Sequence, residues 1–452
     1  MTPPPAIEPF VDEGLGNSSY LVDLGDGRAL AVDPSRHPGA YLERAERGGL
    51  AIAYAVETHL HADFVSGSRE LATLGTQIVA PAAAALEYPA RGLAHGDELD
   101  LGGLTLRALA TPGHTPEHLS YLLLDGRRPM ALFSGGSLLV GAIARTDLID
   151  PSQTESLSRE LWRSLQGTIL ALPDDLAVYP THGAGSFCAA AAGGDRVTTI
   201  GRERATNPLL AAHDEDAFVE MLTAGFGAYP PYFLRLRAVN RRGPHVYGHR
   251  LARLALLEVA EVEALVNSGA WVLDVRPIDR YAAGHITGSV SIALRDVFAT
   301  WLGWLVPDDV PLVMVIDDDQ DADLLVREAR KVGYERLAGA VAGGVAAWRA
   351  AGRPTASTEL VGAAGLGPFV DVRQQAEYDT GHVAGARHIE LGTIGGVAVG
   401  VPDGATLMCG HGERAMSAAS LLERRGGGRG VRVLVGGPED VAVAQRLELE
   451  RE

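Results

Sequence analysis

Short apolar runs separated by Gly, Asp and Pro turns fill the chain up to about residue 195. The segment SSYLVDLGDGRALAVDPS predicts a β-hairpin, because two apolar runs flank a DG turn between Leu24 and Arg28. The run AIAYAVE over 51–57 predicts a buried strand, and SGSRELATLG after it predicts a helix. Strand, loop and helix patterns then recur. This order indicates a layered α/β domain that opens with antiparallel strands and ends near residue 250.

The rest of the chain contains an internal repeat. The segments VLDVRPIDRYAAGHITGSVSIAL and FVDVRQQAEYDTGHVAGARHIEL align without a gap, so that Asp274 matches Asp371. Each copy predicts a strand, a polar helix, a Gly-His turn and a second strand, which is PLVMVID in the first copy and ATLMC in the second. Alternating strands and helices at this spacing favour two parallel sheets wrapped by helices.

Composition and charge exclude several classes of protein. A chain of 452 residues suggests three domains at roughly 150 residues each. Its 39 Lys and Arg against 57 Asp and Glu give a net charge of −18, which argues against nucleic acid or an anionic membrane as a partner. We find no long apolar run and no signal-peptide pattern, so we expect a cytoplasmic protein. The two cysteines exclude a disulfide framework.

Histidines cluster in three loops of the first domain. His59, His61 and Asp63 occupy alternate positions after the strand AIAYAVE, and alternate residues of an extended chain point the same way. His114 in TPGHTPEH and His182 in YPTHGAGSFC also follow apolar segments, next to Gly or Pro. Imidazole and carboxylate groups in this arrangement predict a transition-metal site.

These motifs resemble those of the metallo-β-lactamase superfamily, and within it the branch of the persulfide dioxygenases and glyoxalase II. The resemblance covers about residues 6–250 and is carried by LGNSSYLV, ETHLHADFVSGS, TPGHTPEHLSY, FSGGSLLVGAIARTDL and YPTHGAGSFC. It implies an αββα fold. The chain departs from the family pattern twice: Phe64 stands where a histidine is usual, and Gly136 stands where an aspartate is usual.

The resemblance also implies a metal. In persulfide dioxygenases two histidines and one carboxylate hold Fe(II), and the matching positions here are His59, His114 and Gly136. Since the carboxylate is missing, we expect one transition metal, Fe(II) or Zn(II), with His61 as the third nitrogen ligand. Restoring the carboxylate with Gly136→Asp is then expected to raise iron occupancy.

Other residues around this site keep alternative interpretations open. A second metal site would retain Asp63 and His182 alone, which argues against binuclear hydrolysis. Asp147 is either a turn residue or a substitute ligand. Cys188 either lines the mouth of the pocket as a thiol that exchanges sulfur, or is a small buried hydrophobic residue.

Cys409 begins the loop CGHGERA, between the strand ATLM and the helical pattern SAASLLERR. At this junction its sulfur is surrounded by backbone N–H groups and faces the positive end of the helix, which favours the thiolate. Arg414 fixes the loop or attracts an anionic donor, and with Cys409 it forms the predicted catalytic pair. We expect the substrate to be bound by the residues between them, Gly410, His411, Gly412 and Glu413.

This loop, with the DVR and GHVAGA segments, resembles the rhodanese pattern Cys-x-x-Gly-x-Arg-Ala/Ser. In the first copy the matching strand runs into VIDDDQDADLL, so that copy has no thiol and is predicted to be an inactive spacer or docking surface. The predicted fold class is therefore α/β: an αββα metallo-β-lactamase fold followed by two α/β rhodanese-like domains with parallel sheets. The predicted domains cover residues 1–250, 258–355 and 360–452.

The order of domains resembles that of bacterial multidomain persulfide dioxygenase-sulfurtransferases. The resemblance implies an enzyme of sulfur metabolism whose partner is a small-molecule thiol persulfide or thiosulfate, with rhodanese-type transfer at Cys409. Two alternatives concern the first domain, which would either bind and present a metal or persulfide without catalysis or act as a hydroxyacylglutathione hydrolase-like metallo-hydrolase. The sequence leaves the oligomeric state open, including a homo-oligomer.

Overall fold

The structure is a computed structural model that describes residues 5–188, 194–248, 253–364, 368–394 and 400–451. The predicted domain boundary near residue 250 lies outside the described residues. The chain divides into two compact units, residues 1–251 with 330–333, and residues 252–329 with 334–452. Within the described ranges, no helix is long and apolar enough to cross a bilayer.

The first unit contains two sheets and the helices that cover them. Its strands are β1 (Ile7–Asp12), β2 (Asn17–Asp23), β3 (Arg28–Val32), β4 (Ala51–Val56), β5 (Gln77–Pro81), β6 (Arg91–Leu93), β7 (Glu98–Asp100), β8 (Thr105–Ala110), β9 (Leu119–Asp125), β10 (Arg128–Gly135), β11 (Ala177–Pro180) and β12 (Thr198–Thr199). Its helices are α1 (Gly39–Gly48), α2 (Ser68–Ala72), α3 (Thr154–Ser164), α4 (Ile200–Thr206), α5 (Glu215–Ala224) and α6 (Phe233–Arg242).

The two sheets of this unit have simple strand orders. One runs β1 to β6 in sequence, antiparallel up to β3 and parallel from β3 onwards. The other has the order β12-β11-β10-β9-β8-β7. The predicted hairpin is confirmed, because β2 pairs antiparallel with β3 and the N–H of Leu24 donates to the carbonyl of Arg28 at 3.0 Å. The strand predicted over 51–57 is confirmed as β4, but only its last two residues, Ala55 and Val56, are buried.

The core of the first unit lies between its two sheets. Apolar side chains from both sheets, such as Tyr20, Leu106 and Phe133, are buried together there. Each such side chain contributes about 1.5–3 kcal/mol when it leaves water. Small residues on the outer face of the first sheet pack against α1 and α2, and leucines on the outer face of the second pack against α3 and α5. The predicted αββα arrangement is therefore confirmed.

The second unit contains two copies of one α/β fold. The first copy consists of β13 (Leu256–Leu257), α7 (Val259–Asn267), β14 (Trp271–Asp274), α8 (Ile278–Ala283), β15 (His285–Ile286), β16 (Val290–Ser291), α9 (Phe298–Leu305), β17 (Leu312–Val315), α10 (Ala322–Lys331), β18 (Leu337–Val341), α11 (Gly344–Ala350) and β19 (Thr355–Ala356). The second copy consists of β20 (Glu359–Val361), β21 (Phe369–Asp371), α12 (Gln375–Thr380), β22 (His382–Val383), β23 (Arg387–His388), α13 (Leu391–Ile394), β24 (Thr406–Met408), α14 (Glu413–Arg424), β25 (Arg432–Leu434), α15 (Pro438–Gln445) and β26 (Leu449–Glu450).

Both copies have a five-stranded parallel sheet with the same connectivity, β13-β18-β17-β14-β16 in the first and β20-β25-β24-β21-β23 in the second. The repeated Asp-x-Arg segment has one role in both: the arginine binds the aspartate with two N–H groups and also donates to a glycine carbonyl eight residues on. The predicted parallel sheets are confirmed.

The strand register identifies the position in the first copy that corresponds to the cysteine. Asp274 pairs with Val315 in the first copy, and Asp371 pairs with Met408 in the second. The next residue is Ile316 in the first copy and Cys409 in the second. An isoleucine side chain has no nucleophilic atom, so the first copy cannot carry a persulfide at this position.

Candidate functional site

Three histidines from three loops converge at one end of the αββα sandwich. His59 follows β4, His114 lies between β8 and β9, and His182 follows β11. One nitrogen of each ring lies within 4.8 Å of a nitrogen of the other two. All three side chains are buried, so their nitrogens face one another rather than water.

Hydrogen bonds fix the tautomers of two of these rings. Nδ1 of His114 lies 2.7 Å from the carbonyl oxygen of Arg145, and Nδ1 of His182 lies 3.1 Å from Oδ1 of Asn17. Both oxygens can only accept, so Nδ1 carries the hydrogen in each ring. The lone pair is therefore on Nε2, and histidine ligands of metals are usually held in this way.

The third ring is fixed through a relay. The hydroxyl of Thr58 donates to the carboxylate of Asp33 at 2.8 Å and lies 2.8 Å from Nδ1 of His59. Because the hydroxyl of Thr58 donates its hydrogen to Asp33, the hydroxyl oxygen accepts a hydrogen bond from Nδ1 of His59. Nε2 of His59 therefore also carries a lone pair.

The three rings together fit a metal ion. The Nε2 atoms of His59 and His182 are buried and have no hydrogen-bond partner among the described residues. Leaving such a group unsatisfied costs about 1–3 kcal/mol. Burial lowers the pKa of His59 well below its ordinary value and, with the neighbouring His182, lowers that of His114 to about 3. Neutral imidazole is the form that binds a metal, so these rings are ready to do so at neutral pH.

His61 lies next to this cluster but is bound differently from our expectation. Its Nε2 lies 3.2 Å from Asp33 and 3.0 Å from Glu57, both buried. Burial alone would lower the pKa of His61, but the two carboxylates outweigh it and raise the pKa to about 10. The structure therefore groups His59 and His114 with His182, where the sequence analysis groups them with His61. The aromatic ring of Phe64 covers the His61 ring at 4.2 Å between centroids.

Asp63 lies next to His182, and Cys188 lies next to Asp63. A carboxylate oxygen of Asp63 is 3.2 Å from Nδ1 of His182, and Asp63, His61 and His182 form a second group of possible metal ligands. Cys188 is fully buried rather than at the mouth of a pocket. Its burial, and then the negative charge of Asp63, raise the pKa of the thiol well above the ordinary value. The structure thus favours the interpretation of Cys188 as a buried, protonated thiol.

Gly136 has no room for the missing carboxylate. A Cβ atom at this position would lie 2.4 Å from Cδ2 of His114. The backbone N–H of Gly136 donates to Nε2 of His118 at 3.0 Å, and the His118 ring stacks on His59 with centroids 5.1 Å apart. Our expectation that Gly136→Asp completes the site is therefore corrected: its first side-chain atom would overlap the ring of His114. Asp147 is bound by two N–H groups of Arg145 at 2.6 and 2.8 Å, which favours a structural role.

The sequence analysis missed several residues that hold the histidine loops in place. Asp33 follows β3 with a positive φ of 48°, which is uncommon for a residue other than glycine. Helix α6 supports the loop after β4: Arg237 donates to the carbonyl of Leu60 at 3.1 Å, and Asn240 donates to that of His61 at 2.9 Å. The sequence gives no signal for these contacts, because they join segments that are distant along the chain. The other missed residues are Asn17, Glu57, Thr58 and His118.

A cavity of about 10 Å³ lies beside the cluster, with Glu57, His59, His61, Tyr88 and Asn240 among its lining residues. A volume of this size holds about one water molecule. A larger ligand would therefore require the lining side chains to move.

The second candidate site is the loop between β24 and α14. Cys409 is buried, and the N–H of Gly412 donates to its sulfur at 3.1 Å. Gly412 has φ 103°, and a Cβ there would lie 3.0 Å from the carbonyl oxygen of Leu434, so the turn requires glycine. A backbone amide aimed at sulfur stabilises negative charge on it.

Arg414 fixes this loop. Its guanidinium donates to both carboxylate oxygens of Glu377, at 2.7 Å for Nη2 and at a shorter separation for Nη1. Of the two roles that the sequence suggests for Arg414, the structure therefore favours fixing the loop over attracting a donor. In the first copy the sign is inverted, since Arg280 replaces Glu377 and pairs with Asp317 at 2.6 Å.

Two family models match the chain. The metallo-beta-lactamase superfamily matches residues 12–182, and the rhodanese-like domain matches residues 258–351 and again 357–443. Among solved structures, a metallo-beta-lactamase from Staphylococcus aureus subsp. aureus COL is 29% identical with a TM-score of 0.66, and the match covers 75% of this chain and 99% of that one.

Curated relatives match the first part of the chain. The persulfide dioxygenase ETHE1, mitochondrial, of Homo sapiens is 33% identical over 214 residues, which are 45% of this chain and 75% of the relative. A hydroxyacylglutathione hydrolase of Methylobacterium sp. (strain 4-46) is 31% identical over 235 residues, which are 46% of this chain and 88% of the relative.

Both Gly136→Ala and Gly136→Asp are expected to lower metal occupancy, because any Cβ at this position displaces the His114 ring. The metal content per chain after dialysis, measured by mass spectrometry of the elements, checks this. Gly167→Ala is the control, since a Cβ there meets nothing within 4 Å. More iron in Gly136→Asp than in the wild type would contradict the account.

Alkaline pH is expected to destabilise the metal-free first domain through His61. The folded protein keeps a proton on His61 up to a pKa of about 10, whereas the unfolded chain releases it near pH 6.5. The contribution of His61 is therefore complete below pH 6.5 and is lost as the pH rises towards 10, by at most about 1.4 kcal/mol per pH unit.

His61→Gln should remove this pH dependence, and His213→Gln, on an exposed histidine, should keep it. Urea denaturation of chelator-treated protein between pH 7 and 9.5 measures it, with hydrogen exchange of peptides from 51–68 as the probe. Equal slopes in wild type and His61→Gln would show that His61 is not held as a cation.

Proposed function

The chain belongs to the metallo-beta-lactamase superfamily, with persulfide dioxygenases among its relatives, and continues into two rhodanese-like domains; from this we propose that it is an enzyme of sulfur metabolism acting on low-molecular-weight persulfides. In this proposal, Cys409 accepts a sulfane sulfur in the second rhodanese copy. The first domain holds one metal ion beside a small cavity and acts on the same class of substrate.

The sulfur-transfer step is supported by one observation above the others, the backbone N–H of Gly412 that points at the sulfur of Cys409. The Cys409 thiolate attacks the outer sulfur of the donor, and a new S–S bond forms while that of the donor breaks. The departing thiolate, or sulfite when the donor is thiosulfate, keeps the electron pair. A second thiolate then takes the sulfur from Cys409, so no external oxidant or reductant is needed.

The first domain would hold its metal through Nε2 of His59, His114 and His182. Three imidazole ligands suit Zn(II) as well as Fe(II). The metal, when bound, supplies a Lewis acid with open positions for small ligands. The chain supplies the orientation: Asp33 holds His59 through Thr58, and a backbone carbonyl and an amide oxygen hold the other two rings.

Persulfide oxidation in the first domain is the second candidate function. The name of the human relative and the cluster of three imidazoles favour it. The hydroxyacylglutathione hydrolase alternative has less support, because a second metal would need ligands where the chain has Phe64 and Gly136, and because His61 is held as a cation by two carboxylates.

Cys409→Ser is expected to reduce sulfur transfer from a persulfide to cyanide to below about 1% of the wild-type rate, because a hydroxyl cannot form the persulfide intermediate. Cys188→Ser is the matched control and should retain the transfer, since its thiol is buried and protonated. Product formation as thiocyanate measures both. Wild-type turnover in Cys409→Ser would rule out the proposed nucleophile.

One equivalent of metal per chain is expected to survive dialysis. His182→Ala should lose it as completely as His59→Ala, whereas the exposed His213→Ala should keep it. Oxygen uptake by the metal-loaded protein in the presence of glutathione persulfide then separates the two views of the first domain. Uptake supports an oxidising enzyme, and a loaded protein without uptake supports the binding and presenting role. Two retained equivalents would contradict the three-histidine site.

A further inference from the structure

The loop that carries Cys409 contacts the first rhodanese copy at two consecutive residues. Glu413 lies 3.9 Å from Arg295, and the guanidinium carbon of Arg414 lies 5.9 Å from the centre of the Trp301 ring. Helix α14, which the loop begins, is also held there: the hydroxyl of Ser417 donates to the carbonyl of Ser291 at 2.6 Å, and Glu423 lies 3.0 Å from Nε2 of His285. The first copy is therefore a neighbour of the Cys409 loop as well as an inactive repeat.

The positive charge of Arg414 is not available to a substrate. Both of its outer nitrogens are bound by Glu377, and its side chain is only 16% exposed. Its guanidinium carbon lies 5.9 Å from the centre of the Trp301 ring. A substrate anion would have to displace a two-point ion pair to reach it.

Arg295 is an exposed cation beside the loop. It lies between β16 and α9 of the first copy, and 43% of its side chain is exposed. Its nearest acidic neighbour, Glu413, is 3.9 Å away, which is longer than a hydrogen bond. Among the described residues, its guanidinium has no hydrogen-bond partner that would compete with a ligand.

We propose that Arg295 binds the anionic end of the sulfur donor at the Cys409 site and so selects donors by charge. This inference rests on the proposed sulfur transfer at Cys409. The planar guanidinium matches the oxygen atoms of a sulfonate or carboxylate, so the donor class is thiosulfate or an organic persulfide with a carboxylate. The first copy then supplies specificity to a reaction that it cannot perform itself, because Ile316 replaces its cysteine.

Kinetics of sulfur transfer to cyanide test this proposal. In Arg295→Ala, the KM for thiosulfate is expected to rise about threefold to tenfold with little change in kcat. The variant loses the contact that binds the donor anion but keeps the Cys409 thiolate that attacks the donor. Arg295→Lys should restore part of the effect, since the charge remains. Glu413→Gln should lower the KM, because the competing carboxylate is gone.

Two controls accompany this test. The first is a donor whose organic end is uncharged, and the second is a variant of another arginine with the same exposure. Hydroxyethyl persulfide, whose organic end is uncharged, should show the same KM in wild type and Arg295→Ala. Arg353→Ala should behave as wild type, because Arg353 is equally exposed in the same copy but pairs with Glu263.

The outcomes distinguish the proposed role of Arg295 from the proposed sulfur transfer at Cys409. If the wild type transfers sulfur and Arg295→Ala has an unchanged KM for thiosulfate, the role of Arg295 is wrong and sulfur transfer stands. If the KM rises equally for thiosulfate and hydroxyethyl persulfide, Arg295 acts on the loop rather than on the anion, and charge selection is wrong. If the wild type transfers no sulfur from either donor, the proposed function itself fails.

Discussion

The buried carboxylate of Asp33 links two of the three loops that carry the histidine cluster. It accepts hydrogen bonds from the backbone N–H of Thr58 at 2.7 Å, from the hydroxyl of Thr58 at 2.8 Å and from the hydroxyl of Thr181, and it lies 3.2 Å from His61. Burial would raise its pKa, but the His61 cation and these donors hold the pKa below the ordinary value. One anion thus ties the end of β3 to the loops that follow β4 and β11, which carry four of the metal-binding candidates, His59, His61, Asp63 and His182.

The charge on Asp33 also separates two histidines that look equivalent in the sequence. His59 and His61 are two residues apart in one loop, and alternation places both on the same side. Two carboxylates lie beside Nε2 of His61 and keep its ring protonated. His59 instead donates its Nδ1–H to the hydroxyl of Thr58 and keeps a free lone pair on Nε2. Motif spacing cannot tell them apart, because Asp33, which binds His61 and orients the hydroxyl of Thr58, is distant from them in sequence. The αββα layers and the parallel sheets could be predicted, because their strands, helices and turns follow from the local pattern of apolar residues and turn residues.

The two rhodanese copies show which features of the site can be predicted from a sequence repeat and which cannot. The alignment located the cysteine and its missing counterpart, because strand register follows the apolar pattern. It did not reveal that Arg414 is bound by Glu377, or that the first copy brings Arg295 to the same loop, because both contacts join distant segments. The inverted pair of Arg280 and Asp317 shows that the fold keeps an ion pair at this corner with either sign. In the second copy, the arrangement leaves the sulfur of the cysteine beside a backbone amide.

Anomalous diffraction from crystals of the metal-loaded full chain tests most directly the claim that three imidazoles form the metal centre. The account predicts one anomalous peak, bonded to Nε2 of His59, His114 and His182, with the ring of His61 still bound to Asp33 and Glu57. A metal bonded to His61 through Nε2, or to a carboxylate of the chain in place of His182, would contradict it.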